Sequence, residues 1–83
     1  MVVEIKHNFK AVYLRDFYKE KLKRFRTLFP EYKEFKLYGT IAALTFEKGV
    51  IADAKNYGFY VLTQDNDNVK LLNSVDFEPN DIK

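Results

Sequence analysis

"LYGTIAALTF", residues 37–46, carries no charged side chain over ten positions. A short, almost continuously apolar run of this kind reads as a β-strand covered on both faces, the situation of a strand inside a parallel sheet. Its small residues Gly39, Ala42 and Ala43 leave room for helices to approach closely. A parallel strand needs a crossover on either side, so the flanking segments decide whether this reading holds.

On the N-terminal side, residues 11–29 repeat at helical spacing. Leu14, Phe17, Tyr18, Leu22, Phe25, Leu28 and Phe29 fall on one arc at 100° per residue, and Pro30 ends the helix. No strong N-cap precedes it, and Asn8 is the candidate turn residue. On the C-terminal side, Val50, Ile51, Ala54 and Tyr57 space a shorter helix over 47–57, with Gly58 placed as its stop. "FYVLTQ", 59–64, and "VKLLN", 69–73, are strands joined as a hairpin by "DNDN", 65–68, and the tail "DFEPNDIK", 76–83, is irregular. The expected order is β-α-β-α-β-β in an α/β unit whose helices cover a mixed, mainly parallel sheet. Right-handed crossovers make the first three strands parallel, and the fourth returns antiparallel.

The first strand of that order is "VVEIKH", residues 2–7. Alternation puts Glu4 and Lys6 on one face and Val3, Ile5 and His7 on the other. A carboxylate and an ammonium two residues apart on a short apolar strand need an explanation.

Composition narrows the classes. The chain of 83 residues is 47% hydrophobic and 17% aromatic, enough for one small core rather than disorder. It has no cysteine, which excludes disulfides and thiolate zinc sites and fits a reducing, cytoplasmic setting. No apolar run is long enough for an export signal or a membrane span, so a membrane partner is not expected. The net charge of +2 is uneven. Residues 1–36 hold ten Lys or Arg against five Asp or Glu, giving +5, while residues 37–83 hold four against seven, giving −3. A basic half can attract phosphate.

A Glu-x-Lys strand (Glu4 and Lys6 in "VVEIKH") followed by an amphipathic helix and the strand "LYGTIAALTF" resembles the second half of the PD-(D/E)XK nuclease superfamily, the restriction-endonuclease-like fold. The ending "YGFYVLTQDNDNVKLLNSVDF" is also similar to the close of uncharacterised bacterial proteins with a nuclease-like domain. The resemblance implies Mg²⁺-dependent cleavage of nucleic acid, with Glu4 as metal ligand and Lys6 assisting the attacking water or the phosphate. Mg²⁺ suits that chemistry because it takes carboxylate oxygen, water and phosphate together. The family's second ligand is an aspartate on the preceding strand, and only Met1, Val2 and Val3 precede Glu4 here. Asp16, Asp53, Asp65, Asp67 and Asp76 come later, on elements that do not match that position. The expectation is therefore a single partial domain over 1–83, inactive alone, binding Mg²⁺ only if the missing ligand is supplied and no cofactor otherwise.

Other features have plainer readings. Arg15, Lys19, Lys23 and Arg26, at i, i+4, i+8 and i+11, form a stripe that could follow the backbone of DNA, although a solvated helix face with Asp16 and Glu20 nearby is the simpler account. Lys21 falls within the apolar arc, either reaching outward to the rim or facing the first strand. His7 suits a strand-end role, the fourteen aromatics suit a core, and "DNDN" lacks the glycine and distal glutamate of a calcium loop. The alternative function is a non-catalytic nucleic-acid-binding or protein-interaction module. With no preceding strand, the residue 2–7 strand becomes a sheet edge, and a homo-oligomer with that strand at or near the interface is expected.

Overall fold

The computed structural model describes residues 1–32 and 34–82, leaving aside the side chain of Tyr32. A single sheet with strand order β1-β2-β3-β4 is built from β1 (Val2–Phe9), β2 (Gly39–Phe46), β3 (Tyr60–Asp65) and β4 (Asn68–Leu71). The first three strands are parallel and β4 is antiparallel to β3, as the crossover argument requires. The mixed, mainly parallel α/β unit is therefore the fold. β1 is an outermost strand, with β2 on one side and a free edge on the other.

The first crossover is a helical run of α1 (Ala11–Asp16), a π segment (Phe17–Lys21) and α2 (Leu22–Leu28). The π segment reconciles two spacings. Leu14, Phe17 and Leu22 are all buried, and the step of five from Phe17 to Leu22 exceeds one α turn. The Leu22 N–H bonds the Phe17 carbonyl, closing the wider turn and returning Leu22 to the core. A short 3₁₀ turn at Pro30–Tyr32 follows. No side chain caps α1 from the N-cap position, Lys10. Instead the Glu47 carboxylate accepts from the Ala11 N–H at 3.2 Å. Asn8 is a strand residue rather than a turn residue, and its side-chain oxygen accepts from the Thr45 hydroxyl at 2.8 Å.

The second crossover is α3 (Val50–Asn56), with Val50 and Ala54 buried on the expected face. Gly58 ends it at φ 84°, in the left-handed region where only glycine is unstrained. Gly39 serves a different need: a Cβ there would stand 2.8 Å from the Phe59 ring and 3.2 Å from the Leu22 side chain, so both pack directly on its backbone. Ala43 is buried beside it in the core, whereas Ala42 lies on the opposite side of β2 and makes no room for a helix.

Both crossovers lie on one face of the sheet. Ile41, Ala43 and Val61 join Leu14, Phe17, Leu22, Val50, Ala54 and Phe59 in a single core there, and the Phe17 and Phe59 rings meet edge-on at 5.4 Å. Helices consequently cover β2 on one face only; on the other, Thr40 is buried and Tyr60 beside it packs against Phe77 of the tail, and the face opens beyond them. Leu44, expected to be buried, is 44% exposed on the other side. The apolar run of β2 thus misled the two-face reading, since a four-stranded sheet in order 1-2-3-4 carries its helices on one side.

β4 stops at Leu71, short of the expected end at Asn73, and the tail from Asp76 forms no helix or strand among the described residues, as expected, but it is tightly attached. Asn73 caps β3, its amide accepting from Val61 N–H at 2.7 Å and donating to Phe59 O at 3.0 Å. Asn80 N–H bonds Gly58 O, and Ile82 N–H bonds Leu37 O at 2.8 Å.

Candidate functional site

Glu4 and Lys6 do share a face of β1, and it is the face turned toward the helical run. Opposite parity leaves Val3 and Ile5 looking outward, with Ile5 72% exposed. The charged pair is thus partly covered and the apolar pair is bare, the reverse of what burial alone would favour.

The Glu4 side chain is only 17% exposed, and both of its oxygens lie 3.1 Å from the Lys21 Nζ. Of the two orientations open to Lys21, the structure therefore takes the one facing the first strand. The π segment places it there: Lys21 lies four residues past buried Phe17 and just before buried Leu22, on the flank nearest β1. The Lys6 Nζ stands 3.8 Å from Glu4 Oε1 and rests over the Tyr13 ring, 4.7 Å from its centroid. Asp16 Oδ2 lies 3.8 Å from Lys21 Nζ and closes the cluster. Two carboxylates and two ammonium groups alternate, so the cluster is neutral.

This donor set does not suit Mg²⁺ as it stands. Only one carboxylate reaches the centre, and an ammonium engages both of its oxygens. No three His, Asp or Glu side chains gather into a metal-binding group among the described residues. What the arrangement offers is a carboxylate held in place and a lysine whose charge is steadied by a ring face.

The basic stripe is divided. Arg15, Lys19 and Lys23 are exposed, but Arg26 is half-buried and engaged by the tail. Its guanidinium donates to Ile82 O at 3.0 Å, Phe35 O at 2.8 Å and Asp81 Oδ1 at 2.9 Å. The π segment also interrupts the α spacing on which the stripe was drawn. His7 lies exposed on the outward face with Val3 and Ile5, remote from the Glu4 cluster.

Tyr13 was not singled out by the sequence. Its one signal was position, in the first turn after β1, where a side chain can lean back over the strand. The outward face was also missed, although Val3 with Ile5 and Val69 with Leu71 show the period-2 pattern that marks it. No helix among the described residues is long and apolar enough to cross a membrane. No family model, curated protein or solved structure matches the chain.

Proposed function

We propose that this chain is the Glu4/Lys6 half of a PD-(D/E)XK nuclease-like site, inactive by itself and completed by a carboxylate arriving on a strand paired to the free edge of β1. The observation that carries this reading is the placing of Glu4 and Lys6 together on an outermost strand whose other neighbour, β2, is parallel. A strand added at that edge would run beside Glu4 at about 4.8 Å, within reach of a shared ligand. Glu4 would then exchange Lys21 for the incoming site. Lys6, held over Tyr13, would present positive charge to a phosphate oxygen. Mg²⁺ belongs to this reading only with that second acid, and DNA is the substrate class that the resemblance implies.

Purified chain incubated with plasmid DNA and Mg²⁺ or Mn²⁺ should show no cleavage. Fusing an Asp-bearing β-hairpin ahead of Val2 should create metal binding, read by calorimetry, that Glu4→Gln removes. Metal-dependent cleavage by the unextended chain that Glu4→Gln abolishes would show that another acid of the chain already completes the site.

A second reading is a non-catalytic module that pairs with another chain through the β1 edge. It is favoured by the double contact of Lys21 on Glu4, which satisfies the carboxylate without any metal.

A further inference from the structure

Alternation and register assign the side chains of the uncovered sheet face. Val3, Ile5 and His7 come from β1, Ala42 and Leu44 from β2, and Leu62 and Gln64 from β3, while Thr40 and Tyr60 on the same side are covered, Thr40 to 2% exposure and Tyr60 by the Phe77 ring at 5.3 Å. Leu71 and Val69 of β4 join them opposite Leu62 and Gln64. In a chain with 31% charged residues, alternation gives this face no carboxylate, lysine or arginine side chain, and Lys6 borders it without belonging to it. Lys70 alternates to the other side with Thr63. Ile5 at 72%, Val69 at 71%, Leu71 at 48% and Val3 at 47% exposure make it the main apolar surface left bare by the fold. It forms a broad trough of about 530 Å³ across all four strands.

Parallel sheets are found with both faces covered, so a bare face of this composition calls for an occupant. We propose that the occupant is a second copy of this chain, packed sheet against sheet into a helix–sheet–sheet–helix dimer. Two properties of the face select a copy of itself. The first is charge. The halves of the chain differ in sign, +5 and −3, yet none of that asymmetry reaches this face. In a two-fold contact a charge near the axis meets its own copy and one elsewhere must find its partner on the same patch; a face without formal charges avoids both requirements.

The second property is area. Strands about 4.8 Å apart rising about 3.3 Å per residue give four strands of roughly six residues an extent on the order of 400 Å². Two such faces, with the relief of their side chains, remove on the order of 1,000 Å² from water, the size at which specific interfaces begin. Two twisted sheets meeting this way stack about 10 Å apart, a gap that Ile5, Leu44, Leu62 and Val69 from both copies are the right size to fill. The surface is separate from the β1 edge, so the inference rests on neither reading of the Glu4 site.

Light scattering on purified chain across micromolar concentrations should give twice the monomer mass of 9.9 kDa. Leu44→Lys and Val69→Lys should each weaken the dimer at least about 30-fold, as expected for a charge placed in an interface centre. Circular dichroism should be unchanged, because both side chains face solvent in the single copy. Leu44 separates this arrangement from edge pairing, since β2 has a strand on either side and no free edge. A monomer throughout the range overturns the proposal, as does a dimer that survives both substitutions. Failure of metal binding in the hairpin fusion would leave this result untouched.

Discussion

Lys21 Nζ lies 3.1 Å from each carboxylate oxygen of Glu4, across a sequence separation of 17 residues. The contact ties the π segment of the long helix to the edge strand. It also fills the position where a cation would approach Glu4. A metal ion at that carboxylate would have to displace Lys21, and the contact can be measured on its own.

A double-mutant cycle of Glu4→Gln and Lys21→Met should give a coupling energy of about 0.5–1 kcal/mol by urea denaturation. The figure is small because the Lys21 side chain is 43% exposed and water screens the pair. Asp16 and Lys6 remain as alternative partners and reduce it further. A coupling near zero would show that the contact places Lys21 without stabilising the fold.

Arg26→Ala should cost about 2–3 kcal/mol, a large loss for one side chain on a helix surface. Its guanidinium satisfies the Phe35 and Ile82 carbonyls and Asp81, joining α2 to the segment before β2 and to the tail. Asp81 also accepts from Leu37 N–H at 2.7 Å, so its loss would spread to the start of β2. Amide exchange should quicken most at Ile82, whose N–H bonds Leu37 O. Arg26→Lys should recover less than half of the loss, because an ammonium cannot reproduce the planar fork.

Gly49 and Gly58 share a left-handed backbone, at φ 87° and 84°, but alanine should not affect them equally. Gly49→Ala meets nothing within 4 Å and should cost about 1 kcal/mol from the backbone alone. At Gly58 the new Cβ would run into the Asn80 side chain, whose amide bonds Tyr57 O at 3.1 Å. Gly58→Ala should therefore cost about 1 kcal/mol or more beyond Gly49→Ala. Equal losses in thermal melts would mean that the tail moves aside freely.

Should DNA bind along the basic stripe of the long helix, the salt dependence is bounded by the stripe side chains free to reach it. Arg15, Lys19 and Lys23 are exposed, while Arg26 holds the tail. Three phosphate contacts limit the slope of log K against log salt to about −3. Lys19→Glu with Lys23→Glu should remove most of that slope and weaken all sequences alike. A steeper slope, or binding indifferent to the two substitutions, would place the contact elsewhere on the basic half.

The order of elements could be read from the sequence because it is written locally. Period-2 alternation marks β1, helical spacing over 11–29 and 47–57 marks the helices that form at 11–28 and 50–56, Pro30 and Gly58 end them through backbone geometry, and "DNDN" turns the hairpin at Asn66 with φ 57°. Alternation also separated Glu4 and Lys6 from Val3 and Ile5. It could not say which pair would lie under a helix, because both faces of an isolated strand are equivalent until the sheet is assembled. Sheet order decided that. Two crossovers on one side leave one face uncovered, and the register Ile5↔Ala42, then Ala42↔Leu62 and Leu62↔Leu71, carries every outward residue with it. The same holds for the cations. On the helical wheel Arg26 and Lys23 are both polar-face residues, and only the returning tail, 55 residues away at Asp81, tells them apart. Lys21 was undecided in the sequence for a related reason. The step of five between Phe17 and Leu22 is visible there, but packing both residues into one core is what selects the π segment and turns Lys21 onto Glu4.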